Sequence, residues 1–179
     1  MRRVVFERAT AEVPAIPVFC AWEPAHCEAA EFGRIHACKS PELWRGGEQV
    51  VDTILNAETV EVFRLERREF AENLSDYRAI EGPFPVGETD SRELADAVTA
   101  YDSYERGMNV SCIPIMHMRT GFVRAGSTVD VVYCFDCSLL SVFHNEKLAG
   151  GGLFLPAEAR LVRLAKRLLP NDEAVQGLE

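Results

Sequence analysis

The sequence contains no run approaching the 18 or more uncharged residues that cross a bilayer, so no membrane-spanning helix is expected. It also lacks the G-x-x-x-x-G-K-S/T phosphate loop, G-x-G-x-x-G, the G-x-S-x-G elbow and H-E-x-x-H, which removes the common nucleotide, hydrolase and metalloprotease signatures. Lysine is scarce: only Lys39, Lys147 and Lys166 stand beside 16 arginines, a ratio to which no function is attached. Adjacent arginines occur only as Arg2-Arg3 and Arg67-Arg68, too few for a phosphate footprint, and the net charge of -9 repels nucleic acid. The MRR start resembles the basic end of a secretory signal, but Glu7, Arg8 and Glu12 interrupt any apolar stretch after it. No signal peptide is expected, and the default compartment is a reducing cytoplasm.

What is present fits one domain over 1–179. The chain has 179 residues, 47% of them hydrophobic, and at that length folding hides about 70% of the surface of the unfolded chain. Such a core needs no covalent staple, and in a reducing compartment the six cysteines are expected to be free or metal-bound rather than oxidised.

The first forty residues are irregular, since Pro14, Pro17 and Pro24 cut the apolar stretches, leaving short strand candidates at Val4–Phe6 and Ile16–Trp22. After Gly46-Gly47, the spacing of Val50, Val51, Ile54 and Leu55 predicts a helix near residues 48–57. Val60–Leu65 alternates and reads as a strand. Residues 66–106 hold eleven acids and five bases and so carry -6 of the charge; they read as an acidic helix-and-loop insertion. Its centre, EGPFPVGETD at 81–90, is expected to be a loop, with Asp90 and Glu93 starting a helix through Tyr104.

Beyond Gly107 the pattern turns to strands: 110–124, 128–137, 139–144 and a short run at 153–155, with turns at Ala125-Gly126-Ser127 and Asn145-Glu146-Lys147. The glycines of Ala149–Gly152 are read as another turn. Pro156 suits the first turn of a last helix, 157–169, which Pro170 ends. The predicted class is therefore α+β: an antiparallel β-meander of about four or five strands with helices packed on one face.

The most informative residues are Cys112, His117, Cys134 and Cys137, spaced C-x4-H and then C-x2-C. Two short pairs of sulfur and imidazole ligands are what a tetrahedral structural zinc site needs. Against that, CFDC lacks the Gly or Pro of a usual knuckle and sits in VDVVYCFDCSLLSVF, which reads as nearly continuous strand. Residues three apart on an unbroken strand point to opposite faces, so either a bulge re-aims one cysteine or the two share no site. The alternatives are small buried hydrophobes beside a hydrogen-bonded histidine, and a thiol redox pair, although Asp136 between the thiols would raise their pKa. A looser group, Cys20, His26, Cys27, His36 and Cys38, reads as a chance cluster in a loop. A catalytic thiol at Cys20 or Cys27 served by His26, His36 or His117 is a further, weaker pattern.

The segment MNVSCIPIMHMRTGFVRAGSTVDVVYCFDCSLLSVFHNEK, with Cys112, Pro114, His117, Cys134, Phe135 and Cys137, resembles a group of small uncharacterised bacterial proteins. Their shared pattern is C-x-P-x-x-H, a β-hairpin, CF-x-C, another strand and a C-terminal helix. The resemblance covers about a third of the chain and implies that the cluster is more than chance; it supplies neither a chemistry nor a partner. Two functions stand. One is a non-catalytic bacterial binding module, of immunity or adaptor type, whose acidic segment meets a basic protein partner and whose cluster holds a structural zinc. The other is a metal- or thiol-dependent enzyme centred on Cys112, His117, Cys134 and Cys137.

Overall fold

A computed structural model describes residues 47–105 and 112–179. The strand candidates at 4–6 and 16–22, and the cluster of Cys20, His26, Cys27, His36 and Cys38, lie outside the described residues. The elements follow as helix α1 (Gly47–Leu55), strand β1 (Thr59–Glu69), β2 (Ala79–Pro85), α2 (Glu88–Thr99), β3 (Ile115–Arg124), β4 (Ser127–Cys134), β5 (Leu139–His144), β6 (Lys147–Leu153), α3 (Glu158–Leu168) and α4 (Glu173–Gln176). The six strands form one sheet in the order β2-β1-β3-β4-β5-β6, with every neighbouring pair antiparallel. This is the α+β meander with helices on one face that the pattern predicts, with six strands instead of four or five.

Period-two alternation sorts the sheet into two faces. Val60, Val62, Met118, Phe122, Val129, Val131, Tyr133, Leu140 and Val142 point towards Val50, Ile54, Leu94, Val98, Leu161 and Leu164 of the helices, and together form the main core. The intervening residues face the other way. There Leu65, Val132, Cys134, Leu139 and Phe143 form a second cluster under a strap of residues 70–78, in which Leu74 and Tyr77 are buried. The Tyr77 ring meets Phe143 edge-on at 5.9 Å, and its hydroxyl donates to the Ala71 carbonyl and accepts from the Ala71 N–H.

Two hairpins are closed by two-residue turns with both central residues at positive φ, Ala125-Gly126 (46° and 81°) and Asn145-Glu146 (48° and 68°). Turns of this hand match the twist of the strands they join, and they set the register Met118↔Tyr133 to Arg124↔Ser127 across β3 and β4. In β1, five residues from Arg64 to Arg68 oppose only three from Met118 to Met116, so the strand bulges and its far end bends away.

Three local readings are corrected. EGPFPVGETD is not a loop throughout: Ala79–Pro85 pairs with β1 as an edge strand, where Pro83 and Pro85 are tolerated because the outward N–H positions need no partner strand. Helix α2 is entered from Gly87, not Asp90, because Asp90 and Glu93 reach instead to Arg167 of α3 at 2.8 and 2.5 Å. The glycines at 150–152 are strand, not turn. A Cβ on Gly151 would stand 2.7 Å from the Leu140 carbonyl oxygen and one on Gly152 2.7 Å from the Tyr104 ring, so close packing requires their absence.

The C-terminus is tied back to the sheet by a buried carboxylate. Asp172 caps α4 by accepting from the N–H groups of Ala174 and Val175, and its other oxygen meets Arg64 Nε at 2.7 Å.

Candidate functional site

Strand β4 ends at Cys134, and Phe135–Ser138 turn the chain into β5, with Ser138 at φ 49°. The turn resolves the geometric conflict of an unbroken strand, because Cys137 no longer lies on the strand that carries Cys134. It brings Cys137 to a Cα–Cα distance of 6.0 Å from Cys112, within the span of a disulfide, and the two are bonded. The expectation that the cysteines are free or metal-bound is therefore corrected for this pair. Cys112 is exposed at the chain's approach to β3, whereas Cys137 is buried.

Cys134 is the free cysteine among the described residues and is fully buried. Burial pushes its thiol pKa up, opposed by backbone N–H groups of Cys137 and Ile115 directed at the sulfur. A thiol held protonated is a poor nucleophile. His117 is also buried. Its Nδ1–H donates to the Ile115 carbonyl at 3.0 Å, which fixes the tautomer, and its ring lies 5.5 Å from that of Phe135. Burial lowers its pKa, keeping the ring neutral. The four predicted residues thus share one end of the sheet, but with the disulfide closed two of the sulfurs offer no thiolate. Among the described residues no three His, Cys, Asp or Glu side chains converge in a way that holds a metal ion.

A second site was not singled out by the sequence pattern. On the face opposite α1, α2 and α3, beside the strap, Glu61 and Phe63 of β1, Arg119, Gly121 and Val123 of β3, and Thr128 and Asp130 of β4 line an open basin of about 520 Å³, with Asn145 and Glu146 at its rim. Register sets its floor: Glu61 pairs with Gly121, and Gly121 with Asp130, giving a row of acid, glycine and acid across three strands. The Arg119 guanidinium lies 3.9 Å over the Phe63 ring.

The polar groups here are poorly satisfied. The Asp130 side chain is 8% exposed, and the nearest cation, Arg119 Nε, is 3.6 Å away, beyond hydrogen-bond range. Arg119 Nε is itself buried without a hydrogen-bond partner among the described residues. Burial raises the Asp130 carboxyl from 3.8 to about 6; Arg119 opposes the rise, and Glu146 and Glu61 add to it. The signal for this site was in the sequence: one carboxylate inside the apolar run Thr128–Cys134, with Arg119 and Gly121 alternating on the strand before it.

Part of the acidic stretch is ion-paired, with Glu66, Glu81 and Glu88 still more than half exposed. Of its eleven acids, Glu66, Glu81, Glu88, Asp90 and Glu93 are ion-paired to Arg78, Arg64, Arg92, Arg167 and Arg160. Comparison with protein-family models, with curated proteins and with solved structures gave no match. No helix among the described residues is long and apolar enough to cross a membrane.

Proposed function

We propose that this chain is a non-catalytic binding module for a basic protein partner, in an immunity-type or adaptor role, with the sheet face opposite α1, α2 and α3 as its recognition surface. Asp130 carries the reading: its side chain is 8% exposed, faces a basin, and meets no hydrogen-bond donor among the described residues. A buried acid in that condition destabilises the free protein and is relieved when a donor is supplied from outside. Glu61, Asp130 and Glu146 outnumber Arg119 in the basin, so the missing donor is cationic. The proposed contact is placed at the basin because Asp130 lies there, and not on the acidic segment of residues 66–105, five of whose acids are ion-paired.

The experiment is capture from lysate by the full-length chain at low and high salt, in parallel with a Glu61→Gln/Asp130→Asn variant. One protein held by the wild type at low salt, and released both by salt and by the two substitutions, supports the reading. No specific partner at either salt overturns it.

The cluster has a structural part in this proposal. Opening the Cys112–Cys137 bond would free two thiols at the end of the sheet that carries Cys134 and His117, and this reduced chain is the form proposed to hold zinc. About one zinc per chain in reduced protein, lost in Cys134→Ser, supports that assignment; metal-free reduced protein rejects it. A cytoplasmic location is proposed with the same condition, because that compartment keeps thiols reduced. Alkylation of Cys112 and Cys137 on lysis reads their state directly.

A further inference from the structure

The geometry points to a specific occupant for the basin: the guanidinium of a partner's arginine, seated on Gly121 between Glu61 and Asp130. This inference rests on the binding-module reading and names the side chain that the surface takes.

The row Glu61–Gly121–Asp130 places two carboxylates on strands two apart, about 10 Å between their Cα atoms, with the glycine backbone of β3 between them. That spacing does not gather ligands for a metal ion, and no metal-holding group occurs among the described residues. A planar fork with donors on opposite edges can lie flat on the floor and reach a carboxylate on each side, whereas a compact ammonium reaches one. The floor is open because residue 121 has no side chain: a Cβ there would stand 3.2 Å from Asp130 Oδ1 and 3.7 Å from the Phe63 ring.

Two features mark the site as incomplete in the free chain. Asp130 is buried and accepts no hydrogen bond from Arg119, which stands at 3.6 Å. Arg119 is held over Phe63 with its Nε unpartnered among the described residues, so it lends positive potential without closing the basin. The remaining charges at the site, Glu61 and Glu146, are both acidic. An entering guanidinium supplies donors that no described residue gives Asp130 and lowers the repulsion among the three carboxylates.

The test is an NMR titration of the full-length chain with N-acetyl-arginine methylamide and, separately, with its neutral isostere N-acetyl-citrulline methylamide. The expected result is saturable shifts at Glu61, Arg119, Gly121 and Asp130 at millimolar arginine derivative. Citrulline should be at least tenfold weaker, and Asp130→Asn and Glu61→Gln should each weaken the arginine response several-fold. Glu61 is only half-buried, so its variant keeps the test valid if Asp130→Asn perturbs the fold. Equal response to citrulline, shifts unchanged in both variants, or no response in the full-length chain would overturn the inference. A protein partner that is still captured by the Asp130→Asn/Glu61→Gln variant would defeat this socket while leaving the binding module standing.

Discussion

Gly121 and Asp130 face one another across β3 and β4, and the absence of a side chain on the first is what leaves the carboxylate of the second room to face the basin. Gly121→Ala separates fold from binding. The added methyl would meet Asp130 Oδ1 at 3.2 Å, a side-chain atom beside open space that can yield, and alanine lowers the entropy of the unfolded chain. The variant should match the parent or gain up to about 1 kcal/mol in denaturant unfolding, while its NMR response to the arginine derivative drops. A stability loss above about 2 kcal/mol would show that the floor has no slack.

Asp130 sets a pH dependence with a definite sign. Its carboxyl titrates at about 6 in the folded chain against 3.8 unfolded, in the company of Arg119, Glu61 and Glu146. The folded chain therefore binds more protons between those values, and stability falls as pH rises from about 4 to about 6 and stays lowered above. The size of the effect is on the order of 3 kcal/mol or less. Asp130→Asn removes the ionisation, so it should exceed the parent in stability at pH 7 and approach it at pH 4. Urea melts at the two pH values check this; an offset independent of pH would contradict it.

The Cys112–Cys137 bond spans 25 residues of sequence, a loop for which chain entropy predicts stabilisation of about 3 kcal/mol. Cys112→Ser should lower stability by about that amount in the absence of reductant and make little difference in its presence. Parallel denaturation of both proteins with and without dithiothreitol measures the gap. A gap that persists under reductant would show that Cys112 acts by some other means.

Gly151→Ala places a methyl 2.7 Å from a backbone oxygen, Leu140 O, which cannot move without breaking the β5–β6 pairing. The expected loss is about 2 kcal/mol or more, read by thermal or denaturant unfolding. Wild-type stability would show that β6 sits further from β5 than described.

The class of fold and the helix stripes were legible in the residues. Val50, Val51 and Ile54 repeat at helical spacing, and Val129, Val131 and Tyr133 alternate at strand spacing, because local backbone geometry alone fixes those periods. β2 and β6 were not legible: prolines in the one and glycines in the other carry loop composition, and only the free edge beside β1 and the close approach of Leu140 and Tyr104 make them strands.

Sequence by itself determined the α+β class, the position of the helices and the grouping of Cys112, His117, Cys134 and Cys137 near one hairpin. Tertiary structure decided the chemistry within that grouping, since the turn at Phe135–Ser138 and the approach of Cys112 set which sulfurs meet. It also decided the basin. Glu61, Gly121 and Asp130 are far apart along the chain, and strand register, which depends on turns and on which face is buried, is what aligns them.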